Sequence, residues 1–135
     1  YSDKTKKFIY KLYLFVCINK YNKLLNKKDI IGINREIGCN GEFSNESGLE
    51  FALSIIKQKK SWLYELSCLV RSLLVDHTFQ DGNKRTAAAI ITTFLEQKNL
   101  NYDKERIIKV VLQISKKNIN DINKIMRLTK NVIVP

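Results

Sequence analysis

The sequence predicts an all-α fold. Apolar residues recur at helical spacing in six separate stretches, the only proline is the last residue, Pro135, and turn-forming residues gather between the stretches. At 135 residues the chain has the size of one domain, since domains typically hold about 100 to 150 residues and bury roughly two thirds of their unfolded surface. A single compact domain of about six helices is expected over 1–135, with no repeat, linker or low-complexity tract to divide it.

The elements follow from the spacing. Phe8, Leu12, Phe15 and Val16 share one helical face, and Leu14, Ile18, Tyr21 and Leu25 continue on a neighbouring one, so residues 4–27 read as one amphipathic helix. Four of the five glycines lie between Gly32 and Gly48, together with Asn34, Asn40, Ser44 and Asn45, a composition that predicts a loop with a short hairpin rather than a persistent helix. Ser47 with Glu50 three positions later has the form of a capping box ahead of Leu49, Phe51, Ala52, Leu53, Ile55 and Ile56, so a short helix should begin there.

Ser61 opens the next run, in which Leu66, Leu69, Val70, Leu73 and Leu74 keep the helical period as far as Asp76. The polar string His77 to Gly82 interrupts it. From Asn83 to about Gln97 the period resumes through Ala87, Ile90, Ile91, Phe94 and Leu95, and three consecutive alanines favour helix and permit close packing, which makes this the central helix. Lys104 to Ser115 and Asp121 to Lys130 complete the set, parted by Asn118 and Asn120.

Composition narrows the class of function. Hydrophobic residues make up 44% and charged residues 27%, the balance of a chain that folds. Lysine and arginine outnumber acids 24 to 13, a formal charge of +11 that favours nucleotide phosphates, nucleic acid or an acidic protein surface. The lysines are dispersed and nothing resembles a recognition helix, so a basic nucleic-acid-binding domain is the weaker class.

Three cysteines without a CxxC spacing and a single histidine form no Cys/His metal set and point to a reducing cytoplasm. The apolar run from Phe8 to Ile18 is interrupted by Lys11 and is too short to span a bilayer, which needs about 20 apolar residues. The chain opens on Tyr1 rather than Met, which leaves open residues upstream.

The string His77-Thr78-Phe79-Gln80-Asp81-Gly82-Asn83-Lys84-Arg85-Thr86 carries the chemistry. The first N–H groups of a helix have no internal partner and stand at the positive end of its dipole, so a turn leading into Asn83 can cradle phosphate. Gly82 lets the backbone come close. Lys84 adds a movable point charge and Arg85 a fork of paired donors suited to phosphate oxygens. Asp81 would be repelled by phosphates unless a cation lay between them, and magnesium suits one carboxylate plus phosphate oxygens. An imidazole can take a proton from an attacking hydroxyl, so His77 is the candidate base. The string is not a Walker A loop, which needs Gly-x4-Gly-Lys-Ser/Thr after a strand.

The string resembles the signature of the Fic/Doc superfamily, HxFx(D/N)xNKR, matched by His77, Phe79, Asp81, Asn83, Lys84 and Arg85. Its Asn-Lys-Arg ending resembles the death-on-curing (Doc) toxin branch. The likeness extends in softer form from Ser47-Gly48-Leu49 through Phe94-Leu95-Glu96, and covers the first 40 residues and the last 35 only in helical character. The resemblance implies an all-helical fold with the motif between two core helices, and Phe79 as a buried anchor. It also implies ATP and magnesium as cofactors: His77 deprotonates a protein hydroxyl, Asp81 binds the metal, and Asn83, Lys84 and Arg85 hold the phosphates.

Two departures bear on the reaction. Thr78 stands where the family usually has proline, which is expected to loosen the loop. Ala88 stands where AMP-transferring Fic enzymes have a second arginine, and Lys84 where they have glycine. Both resemble the Doc-like enzymes, which transfer the terminal phosphate, so phosphorylation is the leading expectation and AMP transfer the alternative. The family's inhibitory pattern (S/T)xxxE(G/N) has no match, so restraint would come from a separate antitoxin-like partner. The resemblance suggests a component of translation such as elongation factor Tu as target, and the loop from Gly38 to Gly48 as a flap that guides it.

Overall fold

The computed structural model describes residues 25–135 apart from residue 59. Over these residues the fold is all-α. Six helices follow one another: α1 (Lys27–Glu36), α2 (Glu46–Ile56), α3 (Trp62–Leu74), α4 (Asn83–Gln97), α5 (Lys104–Lys117) and α6 (Ile122–Lys130). Buried apolar side chains from all six form one contiguous cluster. No helix among the described residues is long and apolar enough to cross a membrane.

At the centre, α3 packs on α4, and α2 and α6 pack on α3 while α1 and α5 pack on α4. Both inner helices are apolar or small on nearly every side, as a helix surrounded by others must be. Ten consecutive residues of α4, Thr86 to Leu95, are buried. Its buried hydroxyls turn back on their own helix, Thr92 donating to the Ala88 carbonyl at 2.9 Å and Thr93 to that of Ala89 at 2.8 Å, so no polar atom of theirs is stranded.

The start of the chain differs from expectation in two ways. The helix predicted over 4–27 lies outside the described residues except for its end, and there Leu25 and Asn26 are not helical. Asn26 instead caps α1 through a reciprocal box with Asp29. The loop predicted from Gly32 onward is overrun by that helix as far as Glu36, because Ile30, Ile33 and Ile37 bury against the core and outweigh the weak helix propensity of Gly32 and Asn34. The second cap is also shifted. Asn45, not Ser47, accepts the N–H of Gly48 at 3.2 Å, and the Ser47 hydroxyl donates to the same Asn45 oxygen.

The segment between α1 and α2 forms no hairpin with itself. It pairs with the motif loop through an isolated antiparallel bridge between Phe43 and Phe79. A second bridge joins Tyr102 to Ile133 near the C-terminus, and among the described residues these two bridges are all the β pairing there is.

The later helices fall where the spacing put them. Ser61 caps α3 and Asp121 caps α6, while α5 runs two residues past Ser115 to end at Asn118, which takes the left-handed conformation with φ of 51°.

Glu65 is an acid inside the core face of α3, 6% exposed, and burial pushes its carboxyl above the usual carboxylate range while Lys98 pulls it back. The folded chain therefore holds this proton more tightly than the unfolded chain, and stability falls as pH rises past the ordinary carboxylate range. Glu65→Gln should raise the melting midpoint near neutral pH and leave it almost unchanged at about pH 2.5, well below the ordinary carboxylate range, where both states are protonated. Thermal melts at the two pH values check this, and a lower midpoint near neutrality would mean that the attraction of Lys98 outweighs burial.

Candidate functional site

The eight residues between α3 and α4 form a turn whose inner side is pinned and whose outer side is free. Thr78 is fully buried, and both its N–H (3.2 Å) and its hydroxyl (2.8 Å) donate to the Ser72 carbonyl near the end of α3. A proline there would offer neither donor, so Thr78 anchors the loop rather than loosening it. Its own carbonyl accepts the N–H groups of Ser44 and Asn45, and Gln80 N–H reaches the Glu42 carbonyl at 3.0 Å.

Phe79 is 1% exposed, with its ring stacked on Phe43 at a centroid distance of 5.3 Å. The Asn83 side chain brackets the same residue, accepting Phe79 N–H at 2.9 Å and donating to its carbonyl at 2.8 Å.

His77 sits where this turn leaves α3, with φ of 53°, in the left-handed region that histidine visits more often than most residues. Bonds on both sides hold it there. Asp76 N–H reaches the Arg71 carbonyl, and Thr78 is fastened to Ser72. The imidazole is exposed and has no hydrogen-bond partner among the described residues.

Gly82 precedes α4 with φ of 79°, and a Cβ there would lie 2.5 Å from the Cys39 sulfur. Only glycine meets both demands. The other five helices each begin with an asparagine, serine or aspartate side chain accepting a first-turn N–H. Helix α4 has no such cap. Its first internal bond runs from Thr86 N–H to the Gly82 carbonyl, so the N–H groups of Asn83, Lys84 and Arg85 stand ahead of the ladder at the positive end of the dipole.

All of the residues selected from the sequence, His77, Asp81, Gly82, Asn83, Lys84 and Arg85, line one cleft of about 400 Å³, together with Leu74, Gln80 and Ser115. That volume lies in the range of small-molecule sites. Lys84 is exposed and engaged with nothing among the described residues. Arg85 is partly committed, donating to the Ile37 carbonyl at 3.1 Å and to the Cys39 sulfur at 3.3 Å, which leaves other guanidinium donors for a ligand. The Asp81 carboxylate accepts Gly82 N–H at 2.8 Å through one oxygen and faces the Cys39 thiol at 3.8 Å through the other.

Cys39 thus stands between the carboxylate and the guanidinium, and burial pushes its thiol above the usual range, with Arg85 acting against that and Asp81 adding to it. The thiol stays protonated and able to donate to Asp81. Spacing carried no sign of Cys39, Ser115 or Leu74 at the site. Cys39 and Ser115 arrive from other segments only when the chain folds, while Leu74 is the last residue of α3 just ahead of His77. Among the described residues no three His, Cys, Asp or Glu side chains gather as a metal cage, so a cation here would take ligands from Asp81 and from whatever the cleft binds.

No protein-family model matches the chain, and no match to it was found among curated proteins or among solved structures.

Because the Asn83 amide is spent on the Phe79 backbone, its loss should read as stability. Asn83→Ala leaves a partly buried N–H and carbonyl without partners and should cost about 1 to 3 kcal/mol. Lys84→Ala, which removes no contact, should cost almost nothing. Urea unfolding of the two variants beside the parent checks the contrast, and equal stability of Asn83→Ala would remove the bracing role.

Proposed function

We propose that the chain is a Fic/Doc-type enzyme that transfers the terminal phosphate of ATP to a hydroxyl on another protein. One observation carries the reading: the residues that match the HxFx(D/N)xNKR signature outside the buried Phe79 line a single cleft around an uncapped helix start. Each has the chemistry its place requires. The ATP phosphates would lie against the N–H groups at the head of α4, where Lys84 and the free donors of Arg85 neutralise them and Gly82 lets them approach. Asn83 serves from behind, by holding the loop.

The donor set fits magnesium. Asp81 is exposed, is the carboxylate in this cleft, and keeps lone pairs beyond the one given to Gly82 N–H. Asp81 would hold the ion, which would offset charge on the phosphates. The remaining chemistry belongs to the chain. His77, with no partner to compete for its ring nitrogens, takes the proton of the incoming hydroxyl as that oxygen bonds to the γ-phosphorus. The bond from phosphorus to the bridging oxygen breaks, and ADP leaves with the electron pair.

Transfer of AMP is the neighbouring reaction. The position one turn into α4 that would hold a second arginine is Ala88, 5% exposed and packed in the core, so among the described residues the cations at this helix start are Lys84 and Arg85. That favours phosphate transfer. The protein substrate class and an antitoxin-like partner rest on the same resemblance.

Intact-mass measurement of a candidate acceptor such as a translation factor, incubated with the protein, ATP and magnesium, tests the reading. A phosphate-sized increment is expected. An AMP-sized one would install the alternative, and no increment with tight nucleic-acid binding would install the third class. His77→Ala should bind ATP nearly as the parent does and transfer about 10²- to 10⁴-fold more slowly. Transfer at the parental rate would make His77 structural.

A further inference from the structure

Asn34 is fully buried in α1, far in sequence from the cleft, yet its amide joins the motif loop, the start of α4 and the loop ahead of α2. Its Nδ2 donates to the backbone carbonyl of Asp81 at 3.0 Å and to the Thr86 hydroxyl at 3.1 Å, and its Oδ1 accepts the N–H of Gly41 at 2.9 Å. Its backbone carbonyl also accepts Cys39 N–H at 3.1 Å. A buried amide with every arm satisfied costs little, and losing one arm leaves a desolvated group behind.

The geometry points to Asn34 as a positioning residue for the metal-binding carboxylate, an inference that rests on the reading of Asp81 given above. One planar group holds the backbone of Asp81 against the first turn of α4 and seats the loop that carries Cys39 against the Asp81 carboxylate and Arg85. The distance from Asp81 to the phosphate-facing N–H groups is therefore set from behind, by a side chain that touches no ligand. No isostere does the same. Leucine satisfies none of the three arms, and aspartate keeps the acceptor for Gly41 while placing a lone pair against the Asp81 carbonyl and a charge in the core. The space is also closed, since a Cβ on Gly82 would come within 3.1 Å of Nδ2.

The test reads metal binding rather than turnover. Magnesium is titrated calorimetrically into the protein carrying a non-hydrolysable ATP analogue, for the parent, Asn34→Asp, Thr86→Val and Thr86→Ser, with circular dichroism as the check on folding. Loss of a partner behind a metal ligand typically weakens the metal by about 10- to 100-fold, and Asn34→Asp should fall in that range. Thr86→Val, which deletes one acceptor of the same amide, should weaken magnesium less, and Thr86→Ser, which keeps the hydroxyl, should restore the parental value. If Asn34→Asp does not fold, the Thr86 pair carries the test alone.

Folded variants with parental magnesium affinity and only a lower melting midpoint would overturn the positioning role and leave the proposed reaction standing. A parent that binds the analogue but shows no magnesium dependence would overturn the assignment of Asp81 itself, and this inference with it.

Discussion

A phenylalanine in the middle of a polar turn must either stay in water or draw the backbone of the turn inward, and Phe79 does the second. Its ring is buried against Phe43, and burying a side chain of that size is worth roughly 1.5 to 3 kcal/mol. The backbone that follows it inward would lose its water, so partners are supplied on every side: the Asn83 amide for Phe79 itself, Ser44 and Asn45 for the Thr78 carbonyl, and the Glu42 carbonyl for Gln80. The turn becomes a rigid piece joining α3, α4 and the segment before α2. His77, Gln80 and Asp81 are then left on the outside, exposed and facing one cleft.

The electrostatics of the cleft follow from what is missing around it. Ion pairs among the described residues join Lys27 to Glu46 and Glu50, and Arg106 to Asp103, and none of them includes a residue of the motif. Among the described residues neither Lys84 nor Arg85 has a carboxylate within salt-bridge distance, and Asp81, the acid that lines the cleft there, has the Cys39 thiol placed between itself and the guanidinium. A direct Asp81 to Arg85 pair would cancel both charges in advance of any ligand. The interposed thiol keeps the carboxylate available to a cation and the guanidinium available to an anion, and its raised proton affinity keeps it a neutral donor.

The helices from Ser61 onward were legible because their apolar period is long, and Ser61, read as the opening of its run, does accept a first-turn N–H; the caps at Asp103 and Asp121 came only with the structure. The candidate site was legible for the same reason, since His77 to Arg85 is one continuous string. What spacing hid was tertiary. Asn34 looks like a turn residue, but its amide has partners 7, 47 and 52 positions away, and those contacts together with Ile30 and Ile33 carry a helix through Gly32. The shift of the α2 cap from Ser47 to Asn45 has a similar origin: Asn45 also donates to the Asp76 carbonyl at 3.0 Å, and only the folded chain brings that acceptor near. Thr78 read as a gap in a pattern because the pattern names proline, while its hydroxyl and N–H have a use that no local rule anticipates.

The uncapped start of α4 sets function against stability within one element. A side-chain cap is typically worth about 1 kcal/mol, and five helices among the described residues have one. Helix α4 forgoes it, follows a left-handed glycine that has no side chain to offer, and places two cations at the end of the dipole that repels them. Isolated, such a sequence would fray from its first turn. It does not fray here because ten consecutive residues behind that turn are buried between α1, α3 and α5, and because Asn34 and Asn83 fasten the turn to its neighbours. The unsatisfied donors and unpaired charges thus stand at the end of a helix that is otherwise buried along its length. An anion would gain most there, and the surrounding packing holds the first turn in place without one.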